Sequence, residues 1–402
     1  MTPEIKQRIE QIRRGEVPEG YQRAGAKIIP YNWGIRQIGE VCVVNPARPQ
    51  MIPDIVSFLA MADVSEDAKI VRQKQIRCSE ANNGFSCFCR GDILIAKITP
   101  CFENGKGAYT ATLETSVGFG STEFHVLRCK IDPEFIFFHT VSFEFRKRLE
   151  AEMTGTAGQK RVQAESIAKY RIAVPPIIEQ RKIAAILTTQ DKVIELKEKC
   201  LAEKQRQKKY LMQQLLTGKK RLPGFSKSWQ TVELGEIFNY IQPTAYLVKT
   251  TDYDDSYKTP VLTAGKTFIL GYTNELEGIF TEVPVVIFDD FTTATKYVDF
   301  PFKVKSSAMK ILTIKDGFNI VFAYEAMQLI KFTVGGHERH WISKYNCLTI
   351  DIPDIEEQAA IAEVLTAADR EIDLLRQEIE QEKQKKKALM QLLLTGIVRV
   401  NV

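Results

Sequence analysis

The stretch EQRKIAAILTTQDKVIELKEKCLAEKQRQKKYLMQQLLTG, beginning at Glu179, returns as EQAAIAEVLTAADREIDLLRQEIEQEKQKKKALMQLLLTG, beginning at Glu357, without a gap and with nearly half its positions identical. Whatever this chain folds into, it must build the same long helix twice. The repeat reaches further, because Trp33, Gly39 and Glu40 open one half as Trp229, Gly235 and Glu236 open the other. Each half therefore reads Trp, globular segment, Pro, Glu-Gln, helix. A period close to half of 402 residues is too long for a solenoid, whose units run roughly 20 to 50 residues. The pattern implies duplication of a whole domain-plus-helix unit.

A content of 44% hydrophobic and 26% charged residues suits two or three globular domains. No apolar run approaches the roughly 18 residues of a spanning helix, and the opening MTPEIKQRIEQIRRGE is polar and mixed in sign, unlike a secretory leader. The expectation is a cytoplasmic chain with no membrane partner. Cys42, Cys78, Cys87, Cys89, Cys101, Cys129, Cys200 and Cys347 contain no Cys-x2-Cys pair, so reduced and mostly buried thiols are expected rather than a metal site. His337 and His340 lack the Glu and helical context of a zinc protease, and no metal is assigned.

Both copies follow a heptad. Apolar a and d positions fall at Ile183, Leu187, Ile194, Leu201, Leu211 and Leu215 in the first, and at Ile361, Leu365, Ile372, Leu375, Ile379, Leu389 and Leu393 in the second. The first copy is basic and the second acidic, which favours pairing one with the other as an antiparallel coiled coil. Lys208 and Lys386 occupy matching a positions. Two readings remain open for them: long stems lying along a loosely packed level, or places where helices of a partner complete the bundle.

The globular segments share little sequence between entrance and exit. Each holds short β-type runs, at residues 91–98 and 122–127 in the first and at 285–288 and 309–314 in the second. Helical patches follow at residues 135–152 and 320–331. Both read as α+β. Trp33 and Trp229, repeated at the domain entrance, fit core anchors better than base-stacking residues, since residues that read different targets should differ.

At this point the chain resembles the specificity (S) subunits of type I restriction-modification systems, over nearly its whole length. The resemblance rests on Pro175, Glu179 and Gln180 matched by Pro353, Glu357 and Gln358, on the Leu-Leu-Thr-Gly helix ends at Gly218 and Gly396, and on Ser121-Thr122-Glu123-Phe124 followed by Val126-Leu127. It implies an α+β fold with two target-recognition domains joined by two long antiparallel helices in a pseudo-two-fold repeat. The expected division is an N-terminal segment over 1–29, recognition domains over 30–175 and 221–352, a central spacer helix over 176–220 and a C-terminal one over 353–402. Each domain would read one half of a split, asymmetric sequence in double-stranded DNA. The helices would set the spacer and dock two methyltransferase (M) subunits. S-adenosylmethionine, ATP and Mg would belong to those and to two restriction (R) subunits, with no cofactor in this chain. A cyclic arrangement of the repeats would bring an N-terminal helix onto the C-terminal region.

A DNA reader needs cations for phosphates and polar side chains for base edges. The candidates are Lys74, Arg77, Arg90, Lys97, Thr99, Lys106, Lys160 and Arg161 in the first half, and Lys266, Thr292, Thr293, Lys296, Lys303, Lys305, His337 and Arg339 in the second. An enzyme reading finds little support. There is no phosphate loop of the G-x4-G-K-S/T type, Asn45-Pro46-Ala47-Arg48 lacks the second Pro and the aromatic of an adenine methyltransferase, and Asp289-Asp290 reads as a pair of exposed acids. No catalytic residue is assigned. A methyltransferase or endonuclease within the chain, or a coiled-coil scaffold for proteins alone, are the alternatives.

Overall fold

A computed structural model describes residues 3–81, 84–156, 158–263, 267–332 and 340–400. Two helices dominate it, Ile177–Leu215 and Ile355–Leu394. The chain divides into two compact units, one made of Met1–Leu196 with Ile379–Val402 and the other of Lys197–Glu378, so each long helix contributes to both.

In the first unit, strand Gly34–Gln37 pairs antiparallel with Arg171–Val174, joining the domain's first strand to its last. A one-turn helix, Ile38–Val41, leads into a sheet ordered Cys42–Val44, Phe124–Cys129, Ile93–Ala96, Gly107–Tyr109. A second sheet runs Lys74–Arg77, Ile55–Leu59, Val117–Gly120, Ser86–Cys89. Every residue of Ile93–Ala96 and Val117–Gly120 is buried, which is why these runs lack the alternation of a half-exposed strand. Gly118 is needed there because a Cβ would collide with the Phe88 ring. Helices Pro133–Thr140 and Phe143–Ala151 follow. The first starts where it does because Asp132 accepts from Phe135 N at 2.9 Å and Pro133 sets the opening φ.

The second unit repeats this frame with different residues. Gln230–Glu233 pairs with Thr349–Ile352, the one-turn helix is Leu234–Ile237, and the sheet runs Phe238–Ile241, Met309–Ile314, Val285–Asp289, Thr295–Val298. A three-stranded sheet of Ile269–Thr273, Thr259–Leu262 and Lys303–Val304 stands in place of the first unit's second sheet. Helix Ile320–Met327 is capped by Asn319, which accepts from Val321 N and Phe322 N at 3.0 Å each. The two globular segments thus share topology where their sequences show almost no kinship.

The N-terminal helix Pro3–Arg13 buries none of its residues. The hairpin Tyr21–Ala24 with Lys27–Pro30 touches the C-terminal region, its Tyr21 hydroxyl donating to Gly396 O at 2.9 Å. Among the described residues no helix is long and apolar enough to cross a membrane.

Candidate nucleic-acid interface

Each unit is closed around one buried glutamate at the head of a long helix. In the first, Glu179 accepts from Trp33 Nε1 at 3.0 Å and from Arg399 Nη2 at 2.7 Å. In the second, Glu357 accepts from Trp229 Nε1 at 3.3 Å and from Arg221 Nε at 2.6 Å. The next residue holds the globular segment: Gln180 Oε1 accepts from Asp132 N, and Gln358 Oε1 from Asn319 N, so each glutamine secures the residue that caps that segment's helix. Trp33 is buried and Trp229 half-buried, both in their cores. Arg221 and Arg399 are framework residues that sequence reasoning missed. Their signal is the shared Leu-Leu-Thr-Gly-x-x-Arg at Leu215 and Leu393.

The halves of the long helices pair antiparallel within each unit. Ile183 and Leu187 share a core with Leu389 and Leu393, while Leu211 and Leu215 share one with Ile361 and Leu365. Ile194, Ile372 and Ile379 are buried, and Leu201 and Leu375 half-buried. Between the apolar ends, polar pairs alternate with these apolar side chains. Gln190 donates to Glu382 at 2.6 Å, Lys197 meets Glu378 at 2.6 Å and Lys204 meets Glu371 at 2.6 Å.

The a-position lysines are held by specific partners within the chain rather than lying along a loosely packed level. Lys208 is held by Asp369 at 2.7 Å and by Glu325 of helix Ile320–Met327 at 2.8 Å. Lys386 makes the matching bond to Asp191 at 2.6 Å but lies over the Phe138 ring where Lys208 meets Glu325. Burial pulls the Lys208 pKa down, yet its two carboxylates outweigh that and leave it raised. Burial raises Glu325, with Lys208 opposing.

The basic candidates fall into three groups. Lys97, Thr99, Lys160 and Arg161 come together, because Thr99 N donates to Lys160 O at 3.0 Å and Val162 N to Lys97 O at 2.9 Å. Arg161 grips Glu123 through two bonds near 3.0 Å, and the Lys97 ammonium donates to Thr122 O at 2.7 Å, its pKa lowered by burial. Thr99 is itself buried. In a second group the structure spends the charge internally: Arg90 donates to the carbonyls of Leu113 and Glu114, and Lys106 to that of Met61. The third group is exposed, with Lys74 and Arg77 on a sheet edge and Lys296 just past the Thr292-Thr293 turn. Thr293 holds that turn at φ 58°. Lys305 is exposed with its ammonium 5.8 Å from the Tyr253 ring. Lys266, His337 and Arg339 lie outside the described residues.

Arg146 is a further residue the sequence did not flag. Its guanidinium donates to the carbonyls of Thr140, Phe102 and Gly105, shaping the loop that carries Lys106, and burial lowers its pKa to about 10.

Three expectations are corrected. Asp289 and Asp290 are buried, not exposed: Asp290 accepts from Trp341 N at 3.1 Å and lies 3.6 Å from buried Lys310. Lys303 is buried too, paired with Glu275 at 2.9 Å, so it cannot meet a phosphate. Of the cysteines only Cys42 is fully buried, while Cys200 and Cys347 are exposed. Among the described residues no His, Cys, Asp and Glu group could hold a metal ion.

Two α+β units, each closed on paired halves of long helices, define a class already seen in solved structures. A chain from work on complex assembly and conformational transition of the type I R-M system superposes with a TM-score of 0.57 at 19% identity, covering 92% of this chain and 99% of that one. That likeness carries the fold. Residues 30–203 and 226–384 match the model of the type I restriction modification DNA specificity domain, so the chain belongs to that family. The Escherichia coli EcoR124I/EcoR124II specificity subunit is 54% identical over 140 residues, 33% of this chain and 34% of that one. The chain thus spans about a third of that relative's length. A putative MjaX specificity subunit of Methanocaldococcus jannaschii is 25% identical over 95% of this chain and 97% of its own.

Proposed function

We propose that this chain is the sequence-specific DNA-recognition subunit of a type I restriction-modification complex, in which each unit reads one half of a bipartite, asymmetric target. The observation that carries this reading is a framework repeated bond for bond, Trp–Glu–Arg and Lys–Asp in each unit, supporting two readers with different exposed faces. A shared frame places unlike reading surfaces in like postures. In the first reader Lys97, Lys160 and Arg161 with Lys74 and Arg77 supply phosphate contacts, and in the second Lys296 and Lys305 with the Thr292-Thr293 turn. A good bidentate base contact then adds about 1–3 kcal/mol of discrimination.

Helices of 39 and 40 residues are each roughly 60 Å long, enough to act as a spacer. Their a and d side chains are occupied within the chain, so docking of methyltransferase subunits falls to their outer faces. Leu196 and Leu374 occupy the same place in the two copies and are 65% and 58% exposed. A single exposed leucine is ordinary on a protein surface; it is the match of the two positions that suits two copies of one partner. The chain directs chemistry rather than performing it: two methyltransferase subunits would bring S-adenosylmethionine and methylate adenine, and two restriction subunits would bring ATP- and Mg-dependent translocation and cleavage.

The test is exchange of residues 30–175 for the corresponding segment of a relative, followed by genome-wide mapping of methylated sites. One half of the motif should change and the other persist. Change in both halves or in neither refutes the assignment.

A further inference from the structure

Strand Cys42–Val44 lies antiparallel to Phe124–Cys129, with Cys42 directly opposite Cys129. Asn45 N donates to Val126 O at 2.7 Å and Lys130 N to Val41 O at 2.8 Å. Those bonds mark the pairs on either side as hydrogen-bonded ones, and alternation along the ladder makes Cys42 and Cys129 a non-hydrogen-bonded pair, with Cα atoms about 4.5 Å apart and side chains at their closest. Disulfides span Cα separations of about 4.4–6.8 Å. The two Sγ atoms already stand 3.3 Å apart, and both cysteines are free.

We propose that Cys42 and Cys129 form a reversible dithiol–disulfide pair that staples the first reader's sheet. Cys129 is the half-buried member and Cys42 the buried one, so a small disulfide such as oxidised glutathione meets Cys129 first. The Cys129 thiolate attacks one glutathione sulfur, the reagent's S–S bond breaks, and one reduced glutathione leaves. Cys42 then attacks Cys129 Sγ and expels the second glutathione. The two cysteine protons end on the two reduced glutathiones, and the reagent takes up the electron pair that the cysteines lose. The Cys42 thiol alongside, and burial after it, push the Cys129 thiol well above its ordinary pKa. The pair therefore rests as thiols in reducing surroundings and reacts slowly at neutral pH. The staple matters for reading because the same strand carries His125, whose Nε2 donates to Val162 O at 2.9 Å, beside the Arg161 held by Glu123.

The full chain is incubated with oxidised glutathione at mildly alkaline pH, alkylated, digested and mapped without reduction. The expected product links the peptide of Cys42 to that of Cys129 and is released by dithiothreitol, with a raised thermal midpoint for the linked chain. Cys42→Ser should instead retain glutathione on Cys129. Exposed Cys200 and Cys347 report that the reagent acted. Glutathione persisting on wild-type Cys129, a link from Cys129 to another cysteine, or an unmodified pair once Cys200 and Cys347 have reacted, each overturns the proposal.

Discussion

Lys208→Met and Lys386→Met remove the same cation from the same heptad position, and the structure makes their consequences unequal. Lys208 leaves behind Glu325, 4% exposed, and Asp369, 43% exposed. Asp369 rehydrates, but Glu325 becomes a buried charge without its cation, for which losses of about 3–5 kcal/mol are usual. Protonation limits the damage, since holding an ordinary carboxyl neutral at pH 7 costs about 3–4 kcal/mol. A loss of about 3 kcal/mol at pH 7 follows. Lys386 leaves only Asp191, 25% exposed, and the apolar Phe138 ring, so the loss there should be about 1 kcal/mol. The pH dependence separates the cases further. Without Lys208 the pKa of Glu325, already raised by burial, rises more. The folded state then binds the proton above the unfolded carboxyl's pKa, so the variant's deficit shrinks as pH falls and is about 1 kcal/mol near pH 5. Urea denaturation followed by tryptophan fluorescence at pH 7 and pH 5 measures both, and Lys208→Met with Glu325→Gln should regain most of the loss. Equal losses for the two lysines, or a Lys208→Met deficit that ignores pH, would refute the reasoning.

Other outcomes follow from the same side chains. Burial holds His125 at about 4 and His139 at about 3. Both stay neutral in the fold while the unfolded chain protonates below about 6.5, so first-unit stability should fall by up to about 2.7 kcal/mol per pH unit between 6.5 and 4; His139→Phe should halve that slope in urea titrations across the window. Lys296→Ala with Lys305→Ala should weaken DNA binding alike for all sequences and reduce the salt slope by about 1 for each phosphate no longer neutralised, read from binding isotherms at several salt concentrations. Leu196→Asp with Leu374→Asp should leave the melting point unchanged and abolish co-purification with the proposed methyltransferase subunit.

The sequence exposed the duplication, the presence of both long helices and the α+β character of the globular segments, because heptads and repeats are local patterns, while the helices end at Leu215 and Leu394, short of the expected 220 and 402. The common reader topology stayed hidden, since a sheet order constrains burial rather than residue identity and two cores can fill the same frame differently. The fate of individual cations was equally closed to sequence. Arg90 and Lys106 look like Lys296 on paper, yet the first two meet carbonyls 23 to 45 residues away. The Lys208–Glu325 pair, 117 residues apart, belongs to the same class. Arg221 and Arg399 were legible in principle, as their spacing from Thr-Gly repeats with the helices.

Those arginines carry an asymmetry in how the two units are completed. Arg221 reaches Glu357 within the contiguous segment Lys197–Glu378, whereas Arg399 reaches Glu179 across 220 residues. The first unit therefore closes only once the chain has been made as far as Arg399, whereas the second needs the C-terminal helix only as far as Glu378. Arg399→Ala strips the fully buried Glu179 of its cation while Trp33 still donates to it, so the loss should sit near the low end of the usual range, about 3 kcal/mol, and fall on the first unit. Hydrogen exchange resolved by peptide should show faster exchange in strands Gly34–Gln37 and Arg171–Val174, with Gln230–Glu233 and Thr349–Ile352 unchanged. Equal acceleration in both strand pairs would mean that the two units open together and that closure of the repeat is not the step Arg399 controls.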